Sequence, residues 1–227
     1  MTAQVEVLEQ STSLDATAPF DHVDRGSVYR AFGKRVLDVA LIVATLPVWF
    51  PLVALITALL VIFGHSPFYT QERLGMGGRV FWMFKFRTMV PNAERVLAEY
   101  LEANADTRVE WQVHQKLKKD PRITPLGHFL RKTSLDELPQ IFNVLSGDMS
   151  LVGPRPMMVE QRTMYPGTAY YSLRPGITGP WQVSDRNGCA FRDRAKFDAD
   201  YAHDLSLTRD LGLLFGTLGV VLKGTGY

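Results

Sequence analysis

Hydrophobic and polar positions are sharply segregated along this 227-residue chain. The extreme stretch runs from Val39 to Phe63, 25 consecutive residues without a charge, mostly Leu, Val, Ile, Ala and Phe. As one straight helix it would reach about 38 Å, beyond the ~30 Å hydrocarbon core of a bilayer. Pro47 and Pro51 interrupt it. Each lacks a backbone donor and crowds the carbonyl four residues back, so the pattern predicts a sharp break there. Basic residues flank both ends: Arg25, Arg30, Lys34 and Arg35 before it, Arg73, Arg79, Lys85 and Arg87 after it. Flanking positive charge marks the cytoplasmic side. Both ends then lie on one side, which a re-entrant helix–break–helix hairpin satisfies. A kinked single span is the alternative.

The remaining pattern is that of a mixed domain. A Gly-rich turn at 75–78 precedes an aromatic, partly alternating stretch at 79–87. It predicts a strand with Lys85 and Arg87 on one face and Phe84 and Phe86 on the other. Residues 92–118 carry a charged helical pattern, broken at Asp120-Pro121. Residues 125–145 read as two short helices, 153–156 and 174–180 as rigid Pro/Gly loops, and 191–204 as a helix. Residues 205–222 end in 12 uncharged positions. That is too short to span a bilayer and suits either an interfacial helix or a core helix. The expected class is α+β, mainly helical: a monotopic membrane protein. Its divisions are an acidic tail (1–24), a membrane hairpin (25–65) and a cytosolic domain (66–227).

Composition changes this picture in three places. Residues 1–24 hold Glu6, Glu9, Asp15, Asp21 and Asp24 and no Lys or Arg, which predicts a mobile tail. With a net charge of +2 overall, the rest is strongly basic and suits anionic lipid and anionic substrates. The single cysteine, Cys189, permits no internal disulfide and points to a reducing, cytosolic setting. The N-terminus is not a signal peptide, because it lacks a basic lead and the apolar run starts too late. Several chemistries are missing: no phosphate-binding P-loop, no dinucleotide fingerprint at Gly75–Gly78, and no zinc-binding histidine pattern. Aromatic residues such as Trp181 read as core or interface, so no nucleic-acid partner is expected.

The sharpest constellation is Ser134-Leu135-Asp136-Glu137. Ser134 and Glu137 fit a capping box, which predicts a helix start with Asp136 in its first turn. The helix dipole there favours a carboxylate by ~0.3–1 kcal/mol, up to ~2, so the expected pKa shift is downward by at most about one and a half units. An ionised carboxylate serves a nucleophile or a metal ligand; plain helix capping is the alternative. Lys85, Arg87, Arg131, Lys132, Arg155 and Arg174 lie beside Gly, Pro or turn signals. Arg155 is held between two prolines, which preorganises it, and a guanidinium matches phosphate bidentately. A solvated basic surface or lipid-headgroup contact is the alternative for each.

Four segments then occur in order: Lys85–Met89 (KFRTM), Leu130–Gln140 (LRKTSLDELPQ), Gly147–Pro156 (GDMSLVGPRP) and Arg174–Gly179 (RPGITG). Behind a proline-broken apolar hairpin, they resemble the bacterial sugar transferase family, the monotopic polyprenyl-phosphate phosphoglycosyl transferases. The resemblance covers residues 32–223. It implies transfer of a sugar-1-phosphate from a UDP-sugar to undecaprenyl phosphate, with release of UMP, at the cytoplasmic face of the bacterial inner membrane. It implies Mg2+ as cofactor, held by Asp136 and Glu137, and places the family's catalytic Asp-Glu pair on those two residues. Lys85, Arg87, Arg131, Arg155 and Arg174 become substrate-phosphate ligands. Glu160 and Asp198 match further polar family positions. The hairpin break falls on Pro51, where Phe50 replaces the family's frequent Ser and Pro47 is additional. The length resembles exopolysaccharide-initiating members, which use UDP-galactose or UDP-glucose. Inner-membrane lipids and downstream glycosyltransferases are implied partners, with room for a homodimer. Two other classes would fit the residues alone: a membrane-anchored scaffold, and an ordinary glycosyltransferase that releases UDP.

Overall fold

A computed structural model describes residues 28–114, 117, 119–184 and 191–222. The expected acidic tail and Cys189 lie outside the described residues. The chain enters through a π-turn, Tyr29–Gly33, that continues into α1 (Lys34–Ala44). After Thr45 a second helix, α2 (Leu46–Ile62), departs with a bend of 67°. Among the described residues no single helix is long and apolar enough to cross a membrane.

The bend corrects one expectation. Pro51 breaks nothing; it lies inside α2. Pro47 is the second residue of α2, where its missing donor is harmless, and it prevents α1 from continuing. The turn itself is at Thr45, with φ −93° and ψ 2°. Its freed carbonyls are covered internally. Thr45 donates to the Leu41 carbonyl from N at 3.0 Å and from Oγ1 at 2.7 Å. The Trp49 indole Nε1 donates to the Ile42 carbonyl at 2.9 Å. Pro51 then forfeits one bond while Trp49, Val53, Ile56 and Leu60 hold α2 on course. This stripe packs against Phe81, Met83, Phe86, Leu130, Ile141, Val144 and Met149. The other side of α2 leaves Val48, Phe50, Leu55, Val61 and Ile62 exposed.

Strands β1 (Phe68–Leu74) and β2 (Val80–Phe86) form an antiparallel hairpin with Arg73 opposite Phe81 and Tyr69 opposite Lys85. The polar centre of β1, Thr70-Gln71-Glu72-Arg73, hid it from the hydrophobic pattern. On β2, Phe81 and Met83 are buried, Val80, Trp82 and Phe84 face outward, and Lys85 shares the inner face. Phe86 departs from the alternation: it is buried and stacks on Phe68 at 5.6 Å. The charged stretch that follows is two helices, α3 (Ala93–Ala103) and α4 (Ala105–His114), interrupted at Asn104. Then come α5 (Pro125–Lys132), a 3-10 turn (Leu135–Glu137) and α6 (Gln140–Ser146), the expected pair of short helices.

Strand β3 (Ser150–Val152) runs parallel to β4 (Gly176–Thr178), so part of the expected 174–180 loop is a strand. The two backbones meet too closely for a side chain: a Cβ on Gly176 would lie 2.1 Å from the Gly153 nitrogen. Short α7 (Pro180–Val183), α8 (Arg194–His203) and α9 (Leu207–Leu222) complete the fold. Helix α9 meets the core expectation along one side. Leu213 and Leu214 pack on Val152 and Tyr201, while Phe215 and Leu218 stay exposed.

The basic lead-in docks on this body. Lys34 bonds Asp210 of α9 at 2.6 Å, and Arg35 donates to the carbonyls of Val144 and Leu145 at the end of α6. Asp38 accepts from the Leu151 nitrogen at 3.1 Å.

Candidate active site

The hairpin, the 3-10 turn and the β3–β4 loops converge on one cleft. Arg73, Met83, Lys85, Glu137, Gln140, Arg155, Pro156, Gly176 and Ile177 line it. Lys85 arrives from the inner face of β2, Arg155 from the loop after β3, and Glu137 from the 3-10 turn. Lys85 Nζ donates to Glu137 Oε1 at 2.7 Å, and Arg155 Nη2 lies 3.9 Å from the same oxygen. A more open depression elsewhere is lined by Tyr100, Lys119, Asp120, Pro121 and His128. Its carboxylate, Asp120, is already paired with Arg122 at 2.6 Å.

The expected capping box does not form. Ser134 is left-handed, with φ 56°, and makes no side-chain cap. Leu135–Glu137 is a single 3-10 turn, and Glu137 turns to Lys85 instead of its own backbone. The left-handed residue reverses the chain after α5 and turns Asp136 inward. A three-residue turn carries little dipole, so the expected downward pKa shift is also overturned. Burial pushes the Asp136 carboxyl above the ordinary carboxylate value; Glu137 adds to this, and Lys85 and Arg131 oppose it. Arg131 is positioned by its own bond, Nε to Thr88 Oγ1 at 2.8 Å.

The other expected ligands separate into groups. Lys85, Arg155 and Glu137 line the cleft, and Asp136 and Arg131 stand in each other's electrostatic field. Arg87 braces the base of the hairpin, donating to the carbonyls of Ser66 and Phe68 at 3.2 and 3.4 Å. Arg174 donates to the Gly147 carbonyl at 2.9 Å, which ties the β4 loop to the end of α6. Neither lines the cleft. Glu160 is exposed and acts electrostatically on Arg73. Asp198 is buried in α8 and accepts from the Tyr165 hydroxyl at 2.7 Å. Burial lifts it to about 6, against that hydrogen bond and Arg194.

The phosphate-ligand set drawn from the sequence omitted Arg73, and Gln140, though it closes the Leu130–Gln140 motif, received no role there. Both are buried, at 8% and 2% exposure. The available signal for Arg73 was the glycine turn: closing a hairpin at 75–79 puts Arg73 opposite Phe81 and hence on the face of Lys85.

The bacterial sugar transferase family model matches residues 29–224. Over 197 residues the chain is 45% identical to a UDP-galactose-lipid carrier transferase of Erwinia amylovora, covering 86% of this chain. It is 44% identical over 197 residues to an undecaprenyl-phosphate galactose phosphotransferase of Salmonella typhimurium. The chain spans 41% of each of those two proteins. Against the exopolysaccharide production protein ExoY of Rhizobium meliloti it is 40% identical over 223 residues, 96% of this chain and 99% of that protein. With the motif-bearing cleft and a match across nearly all of its length, the chain belongs to the bacterial sugar transferase family.

Proposed function

We propose that this protein transfers a hexose-1-phosphate, galactose or glucose, from a UDP-sugar to undecaprenyl phosphate as the first membrane step of exopolysaccharide synthesis. The observation that carries the reading is the adjacent pair Asp136–Glu137 beside a cleft lined by Arg73, Lys85 and Arg155. The names of the relatives agree with it. Asp136 acts as nucleophile. Its carboxylate oxygen bonds to the β-phosphorus, the bond from that phosphorus to the bridging oxygen breaks, and the electron pair leaves with UMP. The acceptor phosphate then displaces Asp136 from the aspartyl-phosphosugar. Both steps are mostly positioning and charge neutralisation. Lys85 holds Glu137, while Lys85 and Arg131 keep Asp136 ionisable against its burial.

Two adjacent carboxylates suit Mg2+, which commonly takes one or two from protein and completes its shell with water and substrate phosphate. No group of three His, Cys, Asp or Glu side chains that could hold a metal occurs among the described residues. Asp136 and Glu137 would hold the ion, and it would supply charge neutralisation at the phosphates.

The bent pair supports placement in one leaflet at the cytoplasmic face. Arms of 16 and 17 residues are about 24 and 26 Å long, and laid symmetrically about their 67° bend they reach only ~14 Å deep, under half of a ~30 Å core. The root of α1 and the hairpin after α2 pack on the same body, so both ends belong on one side.

The test is a panel of UDP-sugars with undecaprenyl phosphate and the full chain in vesicles. UMP release and a sugar-phosphate adduct on Asp136 are expected. UDP as the released nucleotide would sink the reading.

A further inference from the structure

Arg73 is out of place for a structural arginine. It is 8% exposed on β1, and among the described residues its side chain makes one hydrogen bond, from Nη2 to Gln71 Oε1 at 2.6 Å. Its Nε and Nη1 are buried and have no hydrogen-bond partner among the described residues. Burial and the like charge of Arg155 bear most heavily on it. The one carboxylate lining the cleft, Glu137, is committed to Lys85 at 2.7 Å and reaches Arg155 only at 3.9 Å. Glu160 acts on Arg73 only from an exposed position, and Arg73 keeps two idle N–H donors, each able to make a charge-assisted bond to a phosphate oxygen. Asp136 feels Lys85, Glu137 and Arg131, and neither Arg73 nor Arg155 is among the charges that act on it.

We propose that Arg73 is a substrate-binding residue whose unpartnered N–H donors, together with Arg155, hold the phosphate that remains on the nucleotide when the sugar phosphate departs. This deepens the phosphotransfer reading and rests on it. The cleft then has two ends: Asp136 takes the transferred phosphorus, and Arg73 holds the leaving nucleoside monophosphate.

Binding of UMP and of uridine to the full chain in lipid nanodiscs tests this without turnover. Arg73→Gln should weaken UMP at least about tenfold, the loss typical of a charge-assisted hydrogen bond, and leave uridine unchanged. Arg73→Lys keeps the charge but not the fork, and should fall between. If UMP affinity stays within twofold of the parent, if uridine weakens equally, or if the parent does not bind UMP, the proposal is overturned. Cooperative melting is read in parallel. Should Arg73→Gln not melt cooperatively, Arg73→Lys decides; loss of the transition in both assigns Arg73 to the fold and overturns the proposal. A parent that binds UMP through Arg73 but releases none from UDP-sugars would count against the phosphotransfer reading alone.

Discussion

Two clusters, one buried and one half-buried, are each built around aspartate and basic side chains and were solved in opposite ways. Around Asp210 every visible demand is met. The carboxylate is fully buried and accepts from Lys34 and Tyr29, both at 2.6 Å, and from Tyr201 at 2.5 Å. At the cleft, half-buried Asp136 is desolvated against its own ionisation, Glu137 is shared, and Arg73 keeps two idle donors. A satisfied buried network fixes structure, whereas an unsatisfied one costs stability until something completes it. The first cluster reads as an anchor and the second as a receptor for charge.

Substitutions can break or sharpen that contrast. The largest expected effect is on turnover: Asp136→Asn should lower UMP release at least about 10⁴-fold, as expected for removal of a nucleophile. The same variant should melt no lower than the parent at neutral pH. A carboxyl whose folded-state pKa is raised is stabilising below its unfolded pKa, and that stability is lost as pH rises through the folded value. Parallel loss of activity and stability would erase the distinction between the clusters. Next is Asp210→Ala, which leaves Lys34 buried without its counter-charge and should cost about 3–5 kcal/mol, read by denaturant unfolding in micelles. A cost under 1 kcal/mol would mean the anchor does not anchor. Smallest is Asp198→Asn, between the two extremes because Tyr165 still has an acceptor. With the folded value at about 6 and the ordinary value at 3.8, ionisation opposes folding by up to about 3 kcal/mol above pH 6. The variant should gain stability at pH 7.5, and its stability should vary less than the parent's between pH 4 and 6. An unchanged pH profile would remove Asp198 from that account.

Much of this was legible in linear order. The charge-free run, its two prolines and its flanking bases announced a bent apolar segment, and residues 125–145 read as two short helices. What stayed hidden depended on contacts distant in sequence. Pro51 looked as disruptive as Pro47, but the Trp49 stripe that holds α2 on course packs on residues from Phe81 to Met149 and is visible only in the folded body. Asp136 looked like a cap because Ser134 and Glu137 have the right spacing, and only Lys85, 52 residues from Glu137, draws that side chain elsewhere. Arg87 and Arg174 sit in equally suggestive motifs, yet their donors address carbonyls outside the cleft. Arg73 shows the converse: a residue in a polar run becomes a site residue once a hairpin register assigns it a face.

The anchor also sets a timetable. Lys34 and Asp210 are 176 residues apart, so a ribosome adding about 5–20 residues per second makes the second roughly 10–35 s after the first. For that interval the apolar arms exist while the lysine at their root lacks its carboxylate. Their apolar surface needs shelter before the body they dock on has been synthesised, and any truncation before α9 would leave Lys34 without its latch.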